Sequence, residues 1–255
     1  MTDGLDAIQT PPEQPAAPEK VNSFQRIVGV FFSPGDTFAS IARKPDVLIP
    51  LTVFVIVSLV IGWTLAGHID YAAVAREAME QGQRGQNMPA EQMDRMVRIM
   101  GGFMKAASYA GPLLSIIGLA IISGVLLLAV RIMGGEGDYK QAFSVTTYAW
   151  YPRLLKGILA FIVLFNRKSL SFVDLQNPIR SNLAFLFNPK TQTLAYAFLS
   201  SFDIFAIWYL IVLIIGFSEV SKLSRAKTAA IVIVLWLVVV MMTLIGPAIA
   251  SLRSH

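Results

Sequence analysis

Residues 109–130 read YAGPLLSIIGLAIISGVLLLAV and contain no charged side chain. A hydrocarbon core about 30 Å thick needs roughly 20 apolar residues at a rise of 1.5 Å each, so this stretch can cross a bilayer as one helix. To either side, residues 47–67 and 229–249 are equally apolar and equally free of charge. Two further stretches have the length but carry charge: 143–165 holds Arg153 and Lys156, and 194–217 holds Asp203. The sequence therefore predicts an all-α, polytopic membrane helix bundle with about five transmembrane helices. They fall at about 47–67, 107–131, 143–165, 194–217 and 229–249, with an extramembrane loop at 68–106.

Composition agrees, since 55% of the 255 residues are hydrophobic and only 15% are charged, too apolar for an ordinary soluble domain. The net charge of +5 comes from lysines and arginines gathered at span ends, where headgroups account for them, so no nucleic-acid partner is expected. The chain has no cysteine, which removes disulfides, thiolate metal sites and cysteine nucleophiles together. Its histidines are His68 and His255, and it has neither a His-Glu-x-x-His helix nor a Gly-x-Ser-x-Gly elbow. The expectation is a non-enzyme with no catalytic, cofactor or metal site.

Residues 1–20 are rich in proline and acid and should form a disordered tail, with PxxP spacings at Pro12, Pro15 and Pro18. No secretory signal pattern precedes the first span, which is expected to act as an uncleaved anchor. Residues 21–46 read as an amphipathic interfacial segment. Phe24, Ile27, Val28, Phe31 and Phe32 recur at helical spacing, and Ser33 precedes Pro34 at the start of a second short helix carrying Phe38 and Ile41. As an interfacial anchor, Phe24, Phe31, Phe32 and Phe38 would bury in the leaflet while Arg26, Arg43 and Lys44 meet headgroups.

Pro89 marks a helix start, followed by a stripe of Met93, Met96, Val97, Met100 and Met104. Thioethers can hold copper(I), but a stripe without histidine reads better as adaptable apolar filler. Gly111 with Ser115, and Ala120 with Gly124, are small residues four apart that would admit a neighbouring helix. Residues 134–139, GGEGDY, form a tight turn.

Charges within apolar spans usually pair or face a polar interior. Asp203 sits nearest the centre of its stretch, and antiparallel third and fourth spans bring Lys156 closer to its depth than Arg153. A Lys156–Asp203 contact is expected, acting either as a structural pair or as a proton or ion relay. Alternatively, Pro152 kinks the third span, both cations snorkel to headgroups, and Asp203 turns to Ser200 or Ser201. Five spans put the termini on opposite sides, with the amino terminus expected in the cytoplasm.

The residues Pro34, Thr37, Phe38, Ile41, Pro45 and Pro50, then Gly134-Gly135 with Tyr139, Ala142, Tyr148, Ala149 and Pro152, then Asp203, Trp208 and Gly216, resemble the Yip-one domain family. These are multi-span membrane proteins first described as partners of Rab-type GTPases, and the resemblance runs over roughly 31–249. It implies a five-span bundle with a cytoplasmic amino terminus, and it adds Gly216 to the packing and kink positions Gly111, Ser115, Gly124 and Pro152. Eukaryotic members carry Asp-Leu-Tyr-Gly-Pro before the first span, whereas residues 46–50 here are DVLIP and keep only the outer aspartate and proline. That departure argues against a Rab-type partner and for a bacterial-type member in an inner membrane. The expected role is a scaffold or adaptor organising lipid, membrane partners or copies of itself. A small transporter or channel subunit using Asp203 and Lys156 is the alternative.

Overall fold

Among the described residues every regular element is helical, and five helical stretches are long and apolar enough to cross a membrane. The computed structural model describes residues 22–81, 88–167, 169–188 and 193–252, so the tail with Pro12, Pro15 and Pro18, and His255, lie outside them.

The first span is α3 (Leu48–Ala66), which α4 (Tyr71–Gln81) follows on the far side. The second is the long α5 (Ala90–Ile132), which starts at Pro89 and continues unbroken through Pro112. Its first half and α4 fill much of the region expected to be loop. Met93 and Val97 bury against Ala75, with Met79, Met88 and Met104 around them, while Met96 and Met100 stay exposed. The methionine stripe is therefore split between packing and surface.

The third crossing is two helices, α6 (Tyr139–Ala149) and α7 (Tyr151–Phe165). Asp138 caps α6 through a reciprocal pair with Gln141. Pro152 lies in the first turn of α7, where its missing N–H costs little. The hydroxyl of Tyr151 donates to Pro50 O at 2.8 Å, and the Phe165 ring meets that of His68 at 4.9 Å. Thus, of these two helices, α7 is the one that runs along α3, and Pro152 separates it from α6 as a break would.

The fourth stretch differs from expectation. Short helices α8 (Phe172–Gln176) and α9 (Thr193–Ser200) precede α10 (Ile204–Ser221), the apolar span itself. Asp203 is not mid-span: its carboxylate accepts the N–H of Phe205 at 2.9 Å and of Ala206 at 3.3 Å, starting α10 as its N-cap. The fifth span is α11 (Arg225–Leu252).

The amino-terminal segment is a helical hairpin docked in the bundle. Here α1 (Ser23–Phe32) reverses at Ser33 into α2 (Pro34–Arg43). Ser33 stands at the N-cap position without the side-chain hydrogen bond of a cap. Gly29 lets the two helices touch, because a Cβ there would collide with Thr37 Oγ1. The hairpin lies along α10: at its tip the Phe31 ring meets Trp208 edge-on at 5.3 Å, and further toward its base Phe38 packs at Gly216. Around this joint sits the main core, with Val30, Phe38, Ile41, Val145, Tyr148, Val212 and Phe217 buried.

Two anchor expectations change accordingly. Phe38 is 0% exposed inside protein, not in the leaflet, because Gly216 leaves its ring a slot between α10 and α6. Arg26 is buried and paired inside the hairpin, not at headgroups. Phe31 is half-buried on Trp208, whereas Phe24 and Phe32 are 62% and 84% exposed and Arg43 and Lys44 are exposed.

Candidate functional site

Two polar clusters stand out in a bundle otherwise held by apolar packing. The first closes the base of the hairpin around Asp46. One carboxylate oxygen pairs with the Arg26 guanidinium, and the other accepts Ser23 Oγ at 2.5 Å and the Tyr148 hydroxyl at 2.8 Å. Arg26 also donates to Ser40 Oγ at 3.0 Å and to Lys44 O at 2.9 Å, and Ser144 Oγ donates to Asp46 O at 2.7 Å. Gln141 adds a bond from its amide to Ala42 O at 2.8 Å. A buried charge this fully satisfied fixes a geometry, since removing one partner leaves the other stranded. Arg26 and Asp46 are 20 residues apart and carry no periodic signal, so nothing in the spacing of the sequence marks this cluster.

The second cluster surrounds Asp203, which is 4% exposed. The expected contact is present: Lys156 Nζ lies 2.9 Å from Asp203 Oδ2. Ser181 Oγ donates to the same oxygen, and Ile204 N–H reaches Ser181 O at 3.1 Å, so the loop before α9 is tied to the start of α10. With the two capping amides, Asp203 accepts four donors. The hydroxyls of Ser200 and Ser201 donate instead to Tyr196 O and Ala197 O of α9.

Arg153 does not join this pair. Its guanidinium sits 5.0 Å from the Trp150 ring centroid and 4.9 Å from that of Tyr209, a cation–π arrangement. Beside it opens a cleft of about 510 Å³ lined by Arg153, Lys156, Asp203, Ser200, Ser201 and Thr243 among others.

The small-residue positions divide. A Cβ on Gly216 would come within 2.5 Å of Val145 and 2.9 Å of Phe38, so α10 is crossed there at close range. A Cβ on Gly124 would lie 3.8 Å from the Tyr139 ring, and the Tyr139 hydroxyl donates to Ala120 O at 3.0 Å. Gly111 has nothing within 4 Å, and Ser115 bonds its own helix at Pro112 O. The expected contact with a neighbouring helix is not made at Gly111. Instead, α3 and α5 approach closely at Gly62, where an added Cβ would come within 3.0 Å of Ser108 O.

The retained Asp46 and Pro50 thus both engage α6–α7, through Tyr148 and Tyr151, which are among or beside the residues that carry the family resemblance. The model of the Yip1 domain matches residues 28–246. The chain belongs to the Yip1 domain family. A relative of this Yip1-family protein, "Membrane protein YknW" of Bacillus subtilis, is 25% identical over 230 residues, covering 89% of this chain and 92% of its own length. No solved structure matches. The match begins inside α1 and closes near the end of α11, so α2 and the first four spans fall wholly within the Yip1 domain, and α1 and α11 extend past its ends.

Proposed function

We propose that this Yip1-family protein is a non-enzymatic scaffold of a bacterial inner membrane, amino terminus in the cytoplasm, that organises lipid and membrane partners through its hairpin. The observation behind this reading is the two-sided character of α1–α2. One face is built into the core by Val30, Phe38 and Ile41, and the other leaves Phe24, Val28 and Phe32 exposed. Its polar base, with Arg43 and Lys44 exposed, suits headgroups, and its apolar tip lies along a span.

A hairpin held this way enters from one side only, adding volume to one leaflet and not the other. Reconstituted at increasing protein-to-lipid ratio, the wild type is expected to shrink vesicle diameter, and the Phe24→Ser/Phe32→Ser variant is expected to lose the effect while staying folded. Equal diameters for the two proteins would reject the reading.

A transporter subunit is the second reading, because Lys156 and Asp203 line the cleft beside α11. Four donors on Asp203 favour a fixed structural pair over a relay that must release its proton or ion. Proton and cation flux into liposomes, compared for wild type and Asp203→Asn, separates the readings. Flux that the substitution abolishes would support transport.

A further inference from the structure

Among the described residues, Arg153 is the one cation of the inner bundle that the fold leaves without an anionic partner. Lys156 is neutralised by Asp203, and Arg26 by Asp46. Among the described residues no carboxylate pairs with Arg153, and its buried Nε has no hydrogen-bond partner. Aromatic faces hold the guanidinium in place but leave its hydrogen-bonding edge unused. The cleft beside it carries Arg153 and Lys156 against Asp203, a net single positive charge, with hydroxyls of Ser200, Ser201 and Thr243 on its walls.

That polar cleft adjoins a second, apolar one. A groove of about 350 Å³ runs between α5, α10 and α11, lined by Val125, Leu213, Leu235 and Val238 among others. The two share Trp150, Arg153, Trp236 and Val239. Arg153 therefore stands where a charged end and an apolar tail of one ligand would meet.

The geometry points to a bound anionic phospholipid, with its phosphate on Arg153 and one acyl chain in the groove between α5, α10 and α11. Arginine is suited to phosphate because its planar fork offers parallel N–H donors. The net charge of the cleft favours a lipid of charge −1, such as phosphatidylglycerol, over a zwitterion that brings its own cation. This site is separate from the hairpin and does not rest on the scaffold reading.

Trp150 and Trp236 line the clefts, while Trp63 packs on Tyr109 and Trp208 on Phe31. Full-length protein with Trp63→Phe and Trp208→Phe therefore reports the site alone. In detergent micelles, brominated phosphatidylglycerol should quench this fluorescence at several-fold lower mole fraction than brominated phosphatidylcholine. Arg153→Gln should bring the two lipids together, and Arg153→Lys should keep part of the preference. Equal quenching by the two lipids in the parent protein overturns the proposal, even if the variants fail to fold. So does a preference unchanged in a folded Arg153→Gln protein. Loss of the preference on adding millimolar inorganic phosphate would also overturn it, by identifying a free-anion site.

Discussion

Tyr148 donates its hydroxyl to Asp46 at 2.8 Å, so a residue at the end of α6 closes the base of the hairpin that α1 and α2 form. This bond and the Arg26–Asp46 pair make the hairpin part of the bundle rather than a tether to it. Asp46→Ala strands Arg26 and should cost on the order of 3–5 kcal/mol, whereas Tyr148→Phe, which removes one hydrogen bond, should cost about 1 kcal/mol. The chain has no native cysteine, so Ile41→Cys reports hairpin undocking. Ile41 is 0% exposed, and maleimide should label it only when Asp46 is also replaced.

Gly216 and Phe38 should be energetically coupled. Gly216→Ala places a methyl within 2.9 Å of the Phe38 ring and 2.5 Å of Val145, an overpacking that costs roughly 1–3 kcal/mol. In a Phe38→Leu background the same change should cost less, and a double-mutant cycle by thermal unfolding measures the difference. Strict additivity would mean that the slot at Gly216 does not receive Phe38.

At the other end of α10, Asp203→Ala removes the cap and leaves Lys156 without its anion, and it should cost on the order of 3–5 kcal/mol. Asp203→Asn, which can still cap, should be milder. Lys156→Met combined with Asp203→Asn should be more stable than the sum of the single changes implies, because neither charge is then left alone. Unfolding of the four proteins in one detergent tests this.

The three uninterrupted spans were legible because an unbroken charge-free run admits one reading. The fourth was misjudged at Asp203. A long hydropathy window merged α9 with α10, although an aspartate directly before an apolar run is also an N-cap signal. The Lys156–Asp203 contact was legible from relative depth even so. The hairpin was half-legible: the helical spacing of Phe24, Ile27 and Phe31 was visible, and Ser33-Pro34 marked the break. Nothing local distinguishes a helix that continues along a surface from one that folds back. That choice is made by Gly29 against Thr37 across the turn, and by Phe38 against Gly216 and Asp46 against Tyr148, contacts between residues far apart in sequence.

The central claim is that α1 enters the membrane tip first, and spin-label depth measures it directly. Labels at Phe24→Cys, Val28→Cys and Phe32→Cys, each on the exposed face, are read in lipid vesicles by oxygen and nickel-chelate accessibility. A hairpin running along α10 predicts that depth rises steadily from position 24 to position 32, by up to about 12 Å for eight residues of helix, with position 32 shielded from the nickel chelate. Equal depth at all three positions, or a nickel-accessible position 32, would contradict it and return the segment to the membrane surface.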